Sequence, residues 1–340
     1  MWIICVIKTI EVMDDVIKST FKYNLNKINL DDDIRQNVIS INKIDYFAYW
    51  INPLQPGNKG AHSYIFALYV CQDFISFDDS TPLKVIKISN VPDLIDTNGC
   101  IKKNDNNNRF YREIEALQEC KKNRVENIIS IDFCGHIGVK GSRKSKDGER
   151  VEFDKFFPFY MMDFATHDLK QYLENQPDIK LYNRLEICLQ IAYGLYDLNL
   201  LGYYHRDLKP DNILLINQQW KIGDLGLIAY REQDWDRQNE LIGPKGWLSP
   251  EAMNKYLSTK NEGCFDCRID SQSDIFQLGK VFWYIIQGNA PIGNIVRSDF
   301  KEENEPLYVL IRTMLNHSKK KRIKSMKEVV TELKRIIETS

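Results

Sequence analysis

The stretch His205-Arg206-Asp207-Leu208-Lys209-Pro210-Asp211-Asn212 decides how this chain is read. It sets an Asp five residues before an Asn, with a Lys between them, and Asp224-Leu225-Gly226 follows after a short apolar run. An acidic base, a cation and two oxygen-bearing side chains on one strand–turn–strand unit form the set that phosphoryl transfer from a Mg-nucleotide requires. In that chemistry an Asp accepts or orients a hydroxyl proton. A Lys offsets charge on the transferring group. Asn and Asp oxygens suit Mg²⁺, a cation that prefers hard ligands.

Working outward, the chain is strand-rich before this stretch and helical around and after it. Residues 1–45 match no motif, and Val12–Leu25 is expected to be a helix. Tyr46–Val70 reads as strand, turn, strand, broken at the Pro/Gly-rich stretch Pro53–Gly60. Pro82–Ser89, Ile128–Phe133 and Phe157–Phe164 read as strands, Tyr111–Cys120 as a helix and Val91–Arg109 as a polar loop. Lys140–Lys155 is a charged, Gly-containing hairpin or insertion, and charge runs of this kind are usually solvated. Leu185, Cys188, Ala192 and Leu195 recur at helical spacing, and Asp274–Gln287 is apolar on nearly every face, as in a buried helix. Ser325-Met326-Lys327-Glu328 reads as a capping box opening a helix with a stripe at Met326, Val330, Leu333 and Ile337. The expected fold class is α+β with two lobes: 46–164 strand-rich, 165–338 helical, and 1–45 an extension without an assigned role.

The eight residues from His205 and the turn at Asp224 resemble the catalytic loop and metal-binding turn of the eukaryotic-type protein kinase family. Other stretches fall in the same order as that family's motifs. Asn58-Lys59-Gly60-Ala61-His62-Ser63-Tyr64-Ile65 stands where the family has its glycine-rich loop, with Gly60 the one glycine retained and Asn58 and Ser63 beside it. An ordinary hairpin reads the same way, although Asn tolerates positive φ and Ser is small. The resemblance implies that Ile65 caps the adenine. Val85-Ile86-Lys87 resembles the family's V-A-I-K strand, so Val85 is expected on adenine and Lys87 on the α- and β-phosphates. Glu113 resembles the helix glutamate that pairs with that Lys, and Glu115 is its competitor. By the same resemblance Met162 holds the gatekeeper position, backbone groups of Asp163 and Ala165 bond adenine, and Leu214 completes the nucleotide set.

The remaining roles also follow from the resemblance. Asp207 and Lys209 are expected to be catalytic with Lys87 and Glu113, and Asn212 and Asp224 to bind Mg²⁺. His205 packs and hydrogen-bonds, Arg206 precedes the catalytic Asp, and Leu225 is an apolar plug where the family usually has Phe. Gly243–Glu251 resembles the stretch ending in A-P-E, with Ser249 for Ala; Glu251 is expected to pair with Arg322, and Asp274 to tie down the catalytic-loop backbone. ATP, Mg²⁺ and a protein substrate are implied, with Ser/Thr hydroxyls as acceptors and autophosphorylation alongside. Pro244 and Trp247 resemble tyrosine kinases while Lys209-Pro210 resembles the Ser/Thr class, so tyrosine or dual specificity stays open. A nucleotide-binding scaffold without catalysis and a small-molecule kinase are the rival readings. Ser249-Pro250-Glu251 and Arg322 speak against the small-molecule kinase.

Composition bounds the rest. Of 340 residues, 43% are apolar and 27% charged, as in ordinary globular proteins. A net charge of -1 gives no basic field for nucleic acid or an anionic membrane. No apolar run approaches the roughly 20 residues of a membrane span. Met1–Ile7 is short and closed by Lys8 and Glu11, so no secretory signal is expected. Eight Cys in this length suggest free thiols in a reducing cytoplasm, with Cys264-Phe265-Asp266-Cys267 lacking the second pair a zinc site takes. Residues 226–248 contain no Ser or Thr, and Tyr230 is their one hydroxyl. Many family members with an Arg before the catalytic Asp pair it with a phosphate on this segment. Here Glu232, Asp234, Asp236 and Glu240 offer fixed carboxylates, so activity is expected not to require phosphorylation there; merely solvating a mobile loop is the alternative role for these acids.

Overall fold

The protein is described by a computed structural model covering residues 16–18, 38–51, 63–73, 79–95, 99–144, 150–231, 233, 236, 240–258 and 266–339. It divides into two compact units. The first comprises residues up to Ile114 with Ser130–Phe164, and the second Glu115–Ile129 with Ala165 onward.

The first unit is a seven-stranded sheet. Its strands are β1 (Val16–Lys18), β2 (Val38–Ile41), β3 (Ile44–Trp50), β4 (Ser63–Val70), β5 (Lys84–Ser89), β8 (Ile131–Lys144) and β9 (Arg150–Asp163), in the order β1-β8-β9-β5-β4-β3-β2. Between β5 and β8 come a two-residue pair, β6 (Leu94–Ile95) with β7 (Ile101–Lys102), and helix α1 (Asn108–Lys122), whose second half belongs to the second unit. Alternation along the strands sorts their faces. Tyr46, Ala48, Tyr64, Phe66, Leu68, Ile86, Ile88, Phe157, Phe159 and Met161 form one buried core with Ile39, Ile41 and Ile137. On central β5 the opposite face is covered too: Val85 and Lys87 are buried between β4 and β9.

The helix expected over Val12–Leu25 is not what forms at Val16–Lys18. These residues make a strand paired in parallel with His136–Gly138 of β8. Val-Ile-Lys suits a pleated edge, and tertiary pairing overrides a weak local preference. From the charged stretch, Lys140–Lys144 and Arg150–Lys155 extend β8 and β9 as an antiparallel pair. Val91–Arg109, expected as loop, carries β6 and β7.

The second unit is helical. It contains β10 (His167–Asp168), α2 (Leu169–Asn175), α3 (Leu181–Leu200), β11 (Tyr203–Tyr204), β12 (Ile213–Ile216), β13 (Gln219–Ile222), β14 (Ala229–Tyr230), α4 (Pro250–Leu257), α5 (Ser271–Gln287), α6 (Glu305–Met314) and α7 (Met326–Thr339). Helix α5 is buried along almost its whole length, as its all-round apolar pattern requires. An Asp270 cap opens it and Gly288, at φ +79°, closes it. Helix α7 buries Met326, Val329, Val330, Leu333 and Ile336, so its stripe ends on Ile336 rather than Ile337. The small sheet β10-β12-β13 follows directly on the stretch 205–212, which ends where β12 begins. A strand-built unit and a helix-built unit make the fold α+β.

Candidate active site

In the first unit the predicted nucleotide residues lie on neighbouring strands. Register places Ile65 opposite Lys87, and Lys87 opposite Tyr160; Val85 stands opposite Met162. Lys87 Nζ donates to both carboxylate oxygens of Glu113, at 2.8 and 2.9 Å, and Tyr160 Oη donates to Glu113 Oε1 at 2.9 Å. Glu113 is 1% exposed, whereas Glu115 faces outward. Removing a Lys and a Glu from water costs several kcal/mol each, which such close pairing offsets. Ser63 opens β4, and Asp163 ends β9 with its carboxylate on Lys84 Nζ at 2.6 Å. The same ammonium reaches Asp132 at 2.6 Å. Asn58 and Gly60 lie outside the described residues.

A second polar centre in this unit has no counterpart in the sequence reading. Asp93 is buried. Its Oδ1 accepts from Asn107 Nδ2 at 2.7 Å and from the Asn104 amide at 3.0 Å. Its Oδ2 accepts from Tyr111 Oη and lies 2.9 Å from His136 Nε2. Ser89 Oγ donates to Asn107 Oδ1 at 2.6 Å. Burial pushes the Asp93 carboxyl upward, but these donors outweigh it and hold it below the ordinary range. The centre ties the start of α1 to β5 and β8, two residues before Glu113.

In the second unit the stretch 205–212 is fixed from several sides. Asp274 on α5 accepts the His205 amide at 2.9 Å and the Arg206 amide at 2.8 Å. Gln277, one turn on, accepts the Leu208 amide at 3.1 Å and donates to the Arg206 carbonyl at 3.1 Å. Arg206 is thereby held at φ +68°, a conformation that costs a non-glycine residue about 1–3 kcal/mol. Gly243 is required beside it: its φ is +108°, and a Cβ there would meet the Arg206 carbonyl oxygen at 2.9 Å. Sequence spacing held the signal for Gln277, since positions 274 and 277 share a helix face.

His205 is fully buried and joins two loops. Its Nε2 faces the Gly223 carbonyl at 3.1 Å, and its Nδ1 accepts the Asp207 amide at 3.2 Å. These bonds assign the neutral tautomer with the proton on Nε2. Burial agrees, pushing the ring down to about 4. Asn212 Nδ2 donates to the Asp207 carbonyl at 2.8 Å and to Asp207 Oδ2 at 3.0 Å. The Gly223 amide donates to the Asn212 carbonyl at 2.8 Å. That bond brings the turn carrying Asp224, at φ +51°, beside Asn212. Leu225 is fully buried and Lys209 half-buried; Leu214 lies on β12 opposite Lys221, and Ala165 begins the second segment of the unit.

The donor set fits a hard cation. Asn212 spends its amide nitrogen on Asp207, so its amide oxygen, with the Asp224 carboxylate, would be the atoms to hold such a cation. Farther off, Glu251 accepts from Arg322 at 2.8 and 3.2 Å and from Ser273 at 3.1 Å. Arg322 also donates to the carbonyls of Gln272, Asn316 and His317. Pairing of this kind is what lets a guanidinium sit buried. Ser249 caps α4 by accepting the Ala252 amide at 3.2 Å.

The first unit holds a buried Lys–Glu pair and the second an Asp–Asn pair beside a buried His, residue types that phosphoryl transfer uses. Residues 96–339 match the protein kinase domain, and the chain belongs to that family. Members of the family in general use ATP and Mg²⁺ and act on protein substrates. The chain is 30% identical over 184 residues to the interferon-induced, double-stranded RNA-activated protein kinase of Rattus norvegicus, covering 52% of this chain and 33% of that protein. It is 25% identical over 216 residues to serine/threonine-protein kinase KSP1 of Saccharomyces cerevisiae, covering 60% and 20%. It is 19% identical over 239 residues to dual specificity protein kinase TTK of Mus musculus, covering 64% and 28%. The aligned part spans a third or less of each of these relatives. Among the described residues no helix is long and apolar enough to cross a membrane.

Proposed function

We propose that this chain is an active protein kinase that transfers the γ-phosphoryl group of ATP to Ser or Thr hydroxyls of proteins, its own included. The observation that carries the reading is the fixation of Asp207. Its carboxylate and carbonyl both bind the Asn212 side-chain amide, and the amides of its neighbours are held by Asp274 and Gln277. A base oriented to this degree is what a positioned hydroxyl requires. Asp207 would take the hydroxyl proton as the new O–P bond forms and the bond to the bridging oxygen of the leaving diphosphate breaks. Lys209 would offset charge on the group in transit. Lys87, steadied by Glu113, would hold the α- and β-phosphates, and Asn212 and Asp224 would hold Mg²⁺, which screens the phosphate charges when bound. Val85, Ile65, Met162 and Leu214, with the backbone of Asp163 and Ala165, would frame the adenine, and Asn58, Gly60 and Ser63 the phosphate loop. Residues 46–338 would make up this domain, working in the cytoplasm.

Lys209, two residues after Asp207, favours Ser/Thr, and one relative carries that description in its name. Another is described as dual-specificity, so tyrosine is tested in parallel. The experiment is transfer of labelled γ-phosphate to Ser/Thr peptides, Tyr peptides, small alcohols and the protein itself. Incorporation into Ser/Thr peptides is expected. Binding of nucleotide with no transfer to any acceptor would replace the reading with that of a scaffold.

A further inference from the structure

Arg206 is 5% exposed, and a guanidinium that buried needs an anion. It has one. Its Nη1 and Nη2 donate to the two carboxylate oxygens of Asp236 at 2.6 and 3.1 Å, a two-pronged pair. Its Nε donates to the Leu227 carbonyl at 2.6 Å, so all three nitrogens are engaged. Asp236 is itself shared: Lys255 on α4 donates to its Oδ2 at 3.1 Å. Burial works against an ionised Asp236, but Arg206 and Lys255 outweigh it and hold its carboxyl below the ordinary range. One carboxylate therefore joins the residue before Asp207, the segment after the Asp224 turn and helix α4.

The geometry leaves little for a covalent phosphate to do. Tyr230, the one hydroxyl in 226–248, lies on β14, where its ring packs edge-on against Tyr203 at 5.3 Å. Its neighbour Arg231 is bonded through its amide to the Gly202 carbonyl. The anionic partner of Arg206 is already built into the chain.

We propose that Asp236 is a positioning residue that locks Arg206, and through it Asp207, so that the chain works without a phosphate on residues 226–248. This rests on the kinase reading above, and the test separates the two. Wild type, Asp236→Asn, Asp236→Glu and Asp236→Ala are compared for transfer rate, with and without added acetate, and for amide hydrogen exchange over 225–231. A parallel wild-type sample is treated with a broad phosphatase. Wild type should keep its initial rate after that treatment. Asp236→Asn should lose about ten- to a hundredfold in kcat, the scale on which small misplacements act. Its KM for nucleotide should stay within about twofold, because the nucleotide contacts are elsewhere. Asp236→Glu should recover part of the rate, and acetate should partly restore Asp236→Ala, which a merely structural loss would not allow. The amides of Ile228 and Arg231 should exchange faster in Asp236→Asn. Unchanged rate and exchange in Asp236→Asn would overturn the proposal. So would phosphatase inactivation of wild type that is reversed by ATP preincubation and mapped to Tyr230. If no protein transfers phosphate yet exchange rises in Asp236→Asn, the kinase reading fails and the lock stands.

Discussion

Asp93 in the first unit and Asp236 in the second are both buried carboxylates held ionised against the cost of burial, but by different partners. Asp93 relies on Asn104, Asn107, Tyr111 and His136, all neutral or conditionally charged and all within 43 residues of it. Asp236 relies on two full cations, Arg206 and Lys255, which belong to separate elements. The first arrangement shapes one corner of one unit: losing it strands several hydrogen-bond donors, each a modest cost. The second joins the residue before Asp207, the segment after the Asp224 turn and helix α4 through charge, and losing it strands two cations. Neutral networks define local shape, and ionic ones couple distant parts.

That contrast matters only if the groups being steadied do the chemistry, so the largest expected effect concerns them. Asp207→Asn should lower kcat by about 10²–10⁴-fold, the usual contribution of a positioned acid or base. Lys87→Met should lose about 10²–10³-fold, as when one charge-stabilising donor is removed. Circular dichroism should show both folded. Near-wild-type turnover by purified Asp207→Asn would remove the object of both anchors.

Next in size is the ionic node of Glu251 and Arg322. Glu251→Gln leaves Arg322 buried with one acceptor weakened, and should cost about 3–5 kcal/mol in urea unfolding. Phe276 cannot compensate, since Arg322 merely stacks at 5.0 Å from its ring centre. A change under 1 kcal/mol would contradict the claim that ionic nodes are the more expensive to break.

Asp93→Asn tests the neutral node. The amide keeps one acceptor but turns a donor toward groups that already donate, so about 1–3 kcal/mol of stability should be lost. Because α1 starts from this centre, Lys87 and Glu113 should also come apart more often, raising the KM for nucleotide. A stability loss as large as that of Glu251→Gln would erase the distinction between the two kinds of anchor.

The two nodes were not equally legible. Charge complementarity is visible in sequence: Arg206 without a Ser or Thr downstream points to the four acids of 232–240, and the structure singles out Asp236 for the role. Glu232 and Asp234 lie outside the described residues. Asp93 was invisible, because Ser, Asn and Tyr partners occur in any polar loop and the stretch was read as one. Strands with clean alternation and the buried helix at 274–287 were readable from their periods. The strand at Val16–Lys18 was not, since three residues have too little pattern to outweigh a helical neighbourhood, and pairing with β8 decides their state.

The smallest effect compares two buried groups that meet at the stretch 205–212 with opposite signs. Burial lowers His205 to about 4, against an ordinary 6.5. The unfolded chain therefore takes up the proton first, and the stability His205 contributes is complete above 6.5 and lost as pH falls toward 4. Burial raises Asp274 to about 6 from 3.8, outweighing the two amides it accepts. Here the folded chain takes up the proton first, so the penalty of ionised Asp274 is full above 6 and relieved as pH falls toward 3.8. Between about 4 and 6 the two slopes oppose each other, and the wild type should show a shallow profile from this pair. Variants separate them. Relative to wild type, the melting-temperature deficit of His205→Asn should shrink as pH is lowered from 6.5 to 4, while that of Asp274→Asn should grow from 6 to 4. Deficits that move in the same direction would mean that one of the two groups is not buried as the structure has it. Parallel, flat deficits would mean that neither titrates in this window, and that polar partners rather than burial govern the carboxylates of this protein.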